Sequence, residues 1–332
     1  MPEPDFEVRP SLLVGDTADI SLHRGITALR NEGVNPVVAM EFSSTQGGVF
    51  CGIREVKALL GRVLSESNSE VWALGEGAAV APGEVALRIT ASYGSFGLYE
   101  TAICGTLSHC TGWATAGRRC VEAAGGIPVI SVGARYVHPN VAAVMDYAAV
   151  MGGCVSCSTT LGAKLAGTTP VGTISPNVAL IMGDVKRAMQ AFDKHMPTEV
   201  SRVAPVNVMR DENEESLDLA KTLRQHLRGV ILDAFQSRGG VSPELVKEVR
   251  ARLDLAGFSH VEIFVIGNLD VELIGEFVKE GAPVNAFGVG SYISAAPPHE
   301  FNADIREIGG KPVARRGRIP GVTPSPRLVE VM

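Results

Sequence analysis

The period of the apolar positions changes near residue 128. From there on, short apolar runs alternate with segments of helical periodicity, and the runs begin near residues 128, 170, 201, 229, 261 and 285. The runs are almost wholly apolar, as expected for strands buried on both faces of a parallel sheet. The pattern therefore predicts parallel strands joined by crossover helices, which either close into an α/β barrel or form an open doubly wound sheet.

The first hundred residues follow a different pattern. Three strand-like segments with polar connections ("VNPVVAMEFSS", "SEVWALGEG" and "GEVALRITASY") accompany one helix near 53–64, and a long helical segment follows over 98–124. After residue 300, two alternating runs flank Gly309 and Gly310, which predicts a hairpin outside the repeat. We expect three regions: an N-terminal α+β domain over 1–110, the α/β barrel over 111–295, and a C-terminal segment over 296–332 that returns to the N-terminal domain.

Composition and charge narrow the function classes. The 332 residues are 45% hydrophobic and 20% charged, with a net charge of -6 and scattered basic residues, which argues against a disordered chain or a nucleic-acid-binding protein. The N-terminal sequence lacks the pattern of a signal peptide, and no apolar run has the length of a membrane helix. We therefore expect a cytoplasmic protein with neither a nucleic-acid nor a membrane partner.

The six cysteines show no disulfide framework. Cys154 and Cys157 form a C-x-x-C pair, but no second pair follows at the spacing of a zinc site. We expect buried free thiols in a reducing cytoplasm, with zinc or redox use as the less favoured alternative.

Side chains with binding or catalytic chemistry gather where the predicted strands end. In both candidate architectures, ligands bind beyond the carboxyl ends of the strands. The residues found there are Arg135, His138, Ser158, Lys164, Asp233, Arg238, Gly267, Asn268, Asp270, Gly288, Gly290 and Ser291.

Most of these residues have a structural alternative. Arg135 and Lys164 also fit solvated or paired surface charges, and His138 and Asp270 also fit helix caps. Asp233 ends the apolar run "GVIL", where a carboxylate has few structural uses. Taken together, glycine-flanked amides and cations suit a phosphate or pyrophosphate, and the two carboxylates suit Mg²⁺. We expect a Mg²⁺ cofactor with Asp233 and Asp270 as candidate ligands.

Four motifs carry a resemblance to a known family. "FGVGS" resembles an FGVGT phosphate loop, "GNLD" a GGLD turn, "SVGARYVHP" the pattern S-x-GTRR-x-HP, and "LGAKLAG" with "PVGT" an LGAKL–PVGT stretch. With these motifs the chain resembles the nicotinate phosphoribosyltransferase family, of the type II phosphoribosyltransferase fold, from about residue 16 to the "GKPVARRG" hairpin. The resemblance implies an irregular parallel α/β barrel beside an N-terminal α+β sandwich domain that the C-terminal hairpin completes. It also implies a homodimer or higher homo-oligomer with active sites at the interface.

The resemblance further implies an activity and a set of roles. The family joins nicotinate to phosphoribosyl pyrophosphate and releases pyrophosphate, so the substrates would be phosphoribosyl pyrophosphate and an aromatic base. The implied catalytic residues are Asp233, on the ribose hydroxyls or Mg²⁺, with Arg135 and His138, which with Lys164 would hold pyrophosphate or the carboxylate of the base. The implied substrate-binding residues are Lys164, Ser158, Thr173, Arg238, Gly267, Asn268 and Asp270, with Gly288, Gly290 and Ser291 on the 5′-phosphate.

The chain also departs from the family pattern. Pro176 in "GTISPN" stands where the family has a histidine that ATP phosphorylates, and Tyr136 replaces the second arginine of GTRR. Other family positions are changed to Ser21, Leu22, Cys154, Val155, Ile231 and Ala234. The interpretation is therefore a phosphoribosyltransferase for a pyridine carboxylate or related base, without ATP coupling. The alternatives are an inactive family member that binds a phosphorylated ligand, and a barrel lyase or hydrolase that acts on a sugar phosphate.

Overall fold

A computed structural model describes residues 6–64, 67 and 69–332. The chain forms two compact units: the residues up to Thr115 together with Ala296–Met332 make the first, and Ala116–Ala295 make the second. No described helix is both long and apolar enough to cross a bilayer.

The secondary structure is mixed. The strands are β1 (Val37–Ser44), β2 (Gly48–Val49), β3 (Glu70–Ala73), β4 (Ala79–Val80), β5 (Val85–Ser92), β6 (Val129–Ser131), β7 (Ser156–Cys157), β8 (Arg202–Pro205), β9 (Leu227–Leu232), β10 (Glu262–Ile266), β11 (Ala286–Val289), β12 (Phe301–Ile308), β13 (Lys311–Pro312) and β14 (Val329–Glu330). The α-helices are α1 (Pro10–Leu13), α2 (Ile20–Asn31), α3 (Ile53–Val63), α4 (Tyr93–Phe96), α5 (Glu100–Ala123), α6 (Pro139–Met151), α7 (Thr160–Leu165), α8 (Pro176–Met182), α9 (Val185–His195), α10 (Glu212–Leu223), α11 (Pro243–Leu255), α12 (Val271–Lys279) and α13 (Ser291–Ser294).

The first unit is built on an antiparallel sheet. Its strand order is β13-β12-β1-β5-β3-β14, so the C-terminal strand β12 pairs directly with β1. Gly309 and Gly310 both have positive φ, 56° and 73°, which allows the tight turn between β12 and β13. The expected completion of the N-terminal α+β domain by the C-terminal hairpin is confirmed.

Helix α3 belongs to the core of this unit. Its buried residues Ile53, Val56, Leu59 and Leu60 join one apolar cluster with the sheet. The carboxylate of Glu76 accepts hydrogen bonds from the amides of Gly52 (2.6 Å) and Arg54 (3.3 Å), at the N-terminus of the helix.

Glu55 lies in the first turn of α3. Burial raises its pKa to about 7, with nearby Arg9 lowering it and Glu76 raising it. The folded state therefore binds more protons than the unfolded state between pH 4.5, the usual pKa of a glutamate, and about pH 7, so the free energy of unfolding falls as pH rises through this range. The size of the shift corresponds to a loss of up to roughly 3 kcal/mol.

Urea unfolding near pH 5 and near pH 8 checks this expectation. We expect Glu55→Gln to remove most of the pH-dependent loss, because an amide does not titrate. Glu248→Gln, at an exposed position of α11, is the matched control and should behave as wild type. Equal losses in the wild type and the Glu55 variant would contradict the assignment.

The second unit contains six parallel strands in the order β7-β6-β11-β10-β9-β8. Strand β11 pairs with β6, so the last strand of the unit lies beside the first, as it does in a barrel. Among the described residues of this unit, strands that follow each other along the chain from β6 to β11 are hydrogen-bonded to each other, except β7 and β8. The sheet is therefore a curled half-barrel with one gap, between the edge strands β7 and β8, which we call the seam. This confirms the irregular barrel and excludes the doubly wound order.

The seam corrects one prediction. The apolar run at residue 170 does not form a strand, and the strand of this repeat is the two-residue β7. The run instead spans the seam: the Val171 amide donates to the Cys157 carbonyl at the end of β7 (2.9 Å), and the Thr173 hydroxyl donates to the Val203 carbonyl in β8. These single bonds replace a ladder between the two strands.

The cysteines are free thiols, and all are buried except Cys104, which is half-buried. Burial raises the pKa of Cys157 to about 12 and also raises the pKa of Cys154. Because the thiolate is the reactive form, this C-x-x-C pair is unreactive at neutral pH. The expectation of buried free thiols is confirmed for these two residues.

Candidate active site

Four strands of the half-barrel end in residues singled out from the sequence. Arg135 follows β6, Asp233 follows β9, Gly267 follows β10 and Gly290 follows β11. Because the strands are parallel, these residues lie at one edge of the sheet, which we call the barrel mouth.

Asp233 contacts the turn after β10. A β-carbon at Gly267 would lie only 2.6 Å from Oδ1 of Asp233, so the carboxylate packs directly on that glycine. Burial of the carboxyl raises the pKa of Asp233, and the positive charge of Arg135 partly offsets the rise. The residue is nevertheless exposed, so a ligand in solvent can reach the carboxylate.

Gly267 and Asn268 form a left-handed turn, with φ of 99° and 49°. Glycine adopts this conformation freely, and asparagine is among the few other residues that tolerate it. Asp270, which follows, is the N-cap of α12, and its Oδ1 accepts from the Leu273 amide at 2.8 Å. Asp270 therefore caps the helix, as its structural alternative predicted, and its Oδ1 is already engaged in a hydrogen bond.

The two glycines of "FGVGS" have different surroundings. Gly288 is a buried residue in the middle of the sheet, where a β-carbon would lie 2.4 Å from Cγ2 of Ile266 on the neighbouring strand. Gly290 lies just past β11, with φ −105° and ψ −96°, outside the regions that other residues favour. Gly288 is thus explained by strand packing alone, and Gly290 is not.

Gly290 brings two loops together at the mouth. A β-carbon at Gly133, after β6, would lie 2.8 Å from the Gly290 carbonyl oxygen, so the two backbones are in contact. Within the described chain, the amides of Gly290, Ser291 and Tyr292 donate to no other residue. Three consecutive unpaired N–H groups at a strand end are suited to an anion.

The remaining cations at this edge are exposed. His138 is the N-cap of α6, with Nδ1 accepting from the Asn140 amide (3.2 Å), as its capping alternative predicted. Arg135 and Lys164 are exposed, and neither forms an ion pair at contact distance with another described residue. Both cations are therefore available to an anionic ligand.

Thr173 and Arg238 are held by other protein groups. Thr173 spans the seam as described above, and the Arg238 guanidinium donates to Oδ1 of Asn207. Arg238 also lies 3.7 Å from Oε1 of Glu212, which is buried. These contacts give both residues a structural role, and their predicted substrate contacts remain predictions.

Sequence reasoning missed a buried carboxylate, Asp146, in the middle of α6. Its Oδ1 accepts from the Ser131 hydroxyl at the end of β6 (2.7 Å), and its Oδ2 accepts from the amide (2.9 Å) and hydroxyl (2.8 Å) of Thr159 after β7. The Ser158 hydroxyl lies at 3.4 Å from the same Oδ2. Asp146 therefore fixes the ends of β6 and β7. An aspartate inside the apolar helix "PNVAAVMDYAAVM" is the sequence feature that could have revealed this buried carboxylate.

Glu215 has a similar role after β8. It is buried, and its carboxylate accepts from the amides of Val208 (3.0 Å), Met209 (3.1 Å) and Arg210 (3.0 Å). This fixes the loop that leads from β8 into α10.

No group of three or more histidine, cysteine, aspartate or glutamate residues suited to a metal ion occurs among the described residues. This does not exclude Mg²⁺, which proteins often bind through one or two carboxylates, with substrate phosphates and water as the other ligands. Asp233, exposed at the barrel mouth, fits that mode, and Asp270 fits it less well because of its capping bond.

A polar cavity of about 270 Å³ lies within the first unit. Its lining includes Glu41, Asp304, Arg306 and Arg318. These charges already pair with protein partners, such as Arg318 with Asp304 at 3.2 Å, and none of the strand-end residues lines the cavity. We assign it no ligand.

Comparison with known proteins places this geometry in a family. The model of the quinolinate phosphoribosyl transferase N-terminal domain matches residues 25–111, and the model of the C-terminal domain of the same family matches residues 113–304. The chain belongs to the type II phosphoribosyltransferase family. The resemblance stated from the motifs is thereby confirmed.

The individual relatives of this type II phosphoribosyltransferase include nicotinate phosphoribosyltransferases and nicotinate-nucleotide pyrophosphorylases. A nicotinate phosphoribosyltransferase of Mycobacterium tuberculosis is 31% identical over 232 residues, which are 69% of this chain and 49% of that protein. A crystal structure of nicotinate-nucleotide pyrophosphorylase from Pyrococcus furiosus superposes with a TM-score of 0.86 at 36% identity, over 97% of this chain and 82% of that one. Human nicotinic acid phosphoribosyltransferase shares the fold, with a TM-score of 0.68 at 17% identity over 92% and 77% of the two chains. The chain spans about half the length of the curated relatives it matches.

Proposed function

We propose that this protein transfers the phosphoribosyl group of phosphoribosyl pyrophosphate to a pyridine carboxylate, releases pyrophosphate, and does so without ATP. The observation that carries the proposal is the grouping at the barrel mouth. A carboxylate on Asp233, an unpaired guanidinium on Arg135 and the free amides that begin at Gly290 lie at one end of the sheet. The names of the relatives support the same reaction class.

The proposed reaction depends on fixed charges in the site more than on proton transfer. A ring nitrogen of the base forms a bond to C1 of the ribose while the bond from C1 to the pyrophosphate oxygen breaks, and pyrophosphate leaves with the electron pair. Positive charge develops on the ribosyl ring, and negative charge develops on the leaving group. Groups already aimed at these charges stabilise the transition state without reorganising.

Each residue at the mouth has a part in this proposal. The amides of Gly290, Ser291 and Tyr292 would bind the 5′-phosphate, because they lack other acceptors. Asp233 would hold the ribose hydroxyls and a Mg²⁺ ion, which when bound would neutralise pyrophosphate. Arg135 and Lys164 would bind the anionic groups of the two substrates.

The base that we favour is nicotinate. A single guanidinium, that of Arg135, is matched to one carboxylate, and Tyr136 beside it adds no second charge. Quinolinate is the second candidate, because the matching family models carry its name.

Pyrophosphate release is the direct test. The purified protein is incubated with phosphoribosyl pyrophosphate and Mg²⁺ and with nicotinate, quinolinate or no base, and both pyrophosphate and the pyridine mononucleotide are measured. Base-dependent release of both products supports the proposal. A rise in melting temperature without turnover would identify an inactive ligand-binding protein, and turnover of a sugar phosphate without pyrophosphate would identify a lyase or hydrolase.

We expect ATP not to stimulate the reaction. Pro176 begins α8, just after Ser175, and the side chain of a proline carries no nucleophile that could accept a phosphoryl group. Incubation with γ-labelled ATP should therefore leave no acid-labile phosphate on the chain, and the rate of pyrophosphate release should be the same with and without ATP. A stoichiometric phosphohistidine, or a rate that rises only with hydrolysable ATP, would overturn the ATP-independent assignment.

The cytoplasmic location and the homodimer or higher homo-oligomer stay predictions. Sedimentation of the purified protein tests the second of these, and a monomer that retains full turnover would refute an interfacial active site.

A further inference from the structure

A fully buried carboxylate, that of Asp146, lies beside the ends of β6 and β7. Asp146 occupies the middle of α6, and its donors among the described residues are neutral: the hydroxyls of Ser131, Ser158 and Thr159, and the Thr159 amide. Aspartate is rarely buried to this extent, and burying its charge costs free energy that the hydrogen bonds must offset. The groups that these bonds connect therefore indicate the role of the residue.

Asp146 connects β6 and β7 at the point where their main-chain pairing stops. The ladder between the two strands ends at Ser131 and Cys157. Beyond it, Oδ1 of Asp146 accepts from the Ser131 hydroxyl on the β6 side (2.7 Å). Oδ2 accepts from the amide (2.9 Å) and the hydroxyl (2.8 Å) of Thr159, which follows β7. The segment after β7 is therefore tied to β6 through a side chain of α6.

The same bonds fix the start of α7. Thr159 is the N-cap of this helix, and its hydroxyl oxygen also accepts from the Gly162 amide at 3.2 Å. Helix α7 packs directly on α6, because a β-carbon at Gly162 would lie 2.7 Å from the β-carbon of Asp146. A helix of one or two turns is too short to be stable alone, so tertiary contacts determine its position. Asp146 supplies two of these contacts.

Helix α7 carries Lys164. Lys164 is exposed, whereas its neighbours Ala163 and Leu165 are buried, so the helix packs on one side and presents this lysine on the other. Within the described chain Lys164 forms no ion pair at contact distance, so its ammonium is available to a ligand. A lysine side chain is long and flexible, and the position of its backbone limits which anions it reaches.

We propose that Asp146 is a positioning residue: by fixing α7 to the end of β6, it places the Lys164 ammonium to bind the pyrophosphate group of the substrate. This inference rests on the proposed phosphoribosyl transfer and adds a residue that does not itself touch the substrate. Pyrophosphate carries more negative charge than a single carboxylate, so it gains the most from an ammonium held in place.

Binding of inorganic pyrophosphate to the full chain in the presence of Mg²⁺, measured by titration calorimetry, tests the inference. We expect Asp146→Ala to weaken binding by about 10- to 100-fold, the scale seen when the group behind a binding residue is removed. Asp146→Asn should keep the affinity, because its oxygen still accepts from Thr159 and the Ser131 hydroxyl can rotate to accept from its amide group. Ser131→Ala removes only the bond to β6 and should cause a smaller loss.

A control variant separates positioning from general stability. Asn285→Ala removes the side-chain hydrogen bond to the Ile263 amide (2.8 Å), at the opposite edge of the same sheet. Both this variant and Asp146→Ala should lower the melting temperature of the free protein, because each leaves an amide without its acceptor. Only Asp146→Ala should lose pyrophosphate affinity.

A double-mutant cycle with Lys164→Met shows whether Asp146 acts through Lys164. The methionine keeps a long side chain and removes the ammonium, so it should weaken pyrophosphate binding by itself. In that background Asp146→Ala should cost no more than about 2-fold further, which is within the scatter of independent changes. A full additional loss would show that Asp146 acts in another way and would overturn the inference.

Other results would also overturn it: wild-type pyrophosphate affinity in Asp146→Ala or in Lys164→Met, a loss in Asp146→Asn as large as in the alanine variant, or no pyrophosphate binding by the wild type. If Asp146→Ala does not fold, Ser131→Ala decides, and wild-type affinity in that folded variant would refute the positioning role. If the expected binding pattern is found but no pyridine mononucleotide forms, the proposed function fails and the positioning role stands. If turnover occurs and the variants bind pyrophosphate as the wild type does, the inference alone fails.

Discussion

Asp233→Asn is expected to remove most turnover and leave the fold intact. The substitution keeps the shape of the side chain that packs on Gly267, but it removes the negative charge at the barrel mouth. If that charge holds Mg²⁺ or the ribose hydroxyls, the rate of pyrophosphate release should fall by at least about 100-fold, the scale seen when one preorganised electrostatic contact is lost. Initial rates across a Mg²⁺ titration, with melting temperature as the check on folding, measure the effect.

The pH dependence of the rate of pyrophosphate release is a second test of the role of Asp233. Burial raises the pKa of Asp233, so the wild-type rate should fall on acidification at a higher pH than it would for an ordinary aspartate. This acidic limb should be absent from the residual activity of the variant. Asp254→Asn, at an exposed position of α11 where an ion pair with Arg250 contributes little to stability, is the control. Wild-type turnover and wild-type Mg²⁺ dependence in Asp233→Asn would reduce Asp233 to a residue that merely ends its strand.

The strand pattern of the second unit was largely readable from the sequence. The apolar runs beginning near 128, 201, 229, 261 and 285 overlap strands β6, β8, β9, β10 and β11, because strands covered on both faces are mostly apolar. The run near 170 did not form a strand. It is an exposed connection, with Val171 45% exposed, that makes single hydrogen bonds to Cys157 and to Val203, and apolar character alone does not distinguish a strand from such a connection.

The seam strand β7 could not have been predicted in this way. It has two residues, Ser156 and Cys157, and so short a segment has no measurable period. Its place is fixed by tertiary contacts, since Asp146 on α6 accepts from Ser131 at the end of β6 and from Thr159 just after β7. Such a network joins residues far apart in sequence, so no local pattern reveals it.

The candidate site was predicted in part. The rule that ligands bind beyond the carboxyl ends of parallel strands located Asp233 and Gly290, which the structure brings to one edge of the sheet. The same rule gave equal weight to His138 and Asp270, whose side chains turned out to cap helices. An N-cap and a ligand group use the same residue types at the same place, and only the observed hydrogen bond separates them.

Gly290→Val is expected to abolish the rise in melting temperature that phosphoribosyl pyrophosphate with Mg²⁺ produces. Valine does not favour φ −105° with ψ −96°, and its β-carbon would lie 3.1 Å from the Tyr136 ring. Relieving both would move the amides that begin the loop after β11, and these are the proposed ligands of the 5′-phosphate. A ligand raises the melting temperature by binding the folded state, so a variant whose displaced loop no longer binds phosphoribosyl pyrophosphate should lose the shift.

Two further glycines make the test of this prediction specific. Gly275→Val, in α12 where no atom lies within 4 Å of the new β-carbon, should keep the full thermal shift. Gly288→Val should act differently again, because its β-carbon would lie 2.4 Å from Ile266 inside the sheet, so the melting temperature of the free protein should fall. Gly290→Val is therefore distinguished by losing the ligand-induced shift while the free protein stays folded. A full shift in Gly290→Val would place the phosphate elsewhere, and the unpaired amides after β11 would then need another explanation.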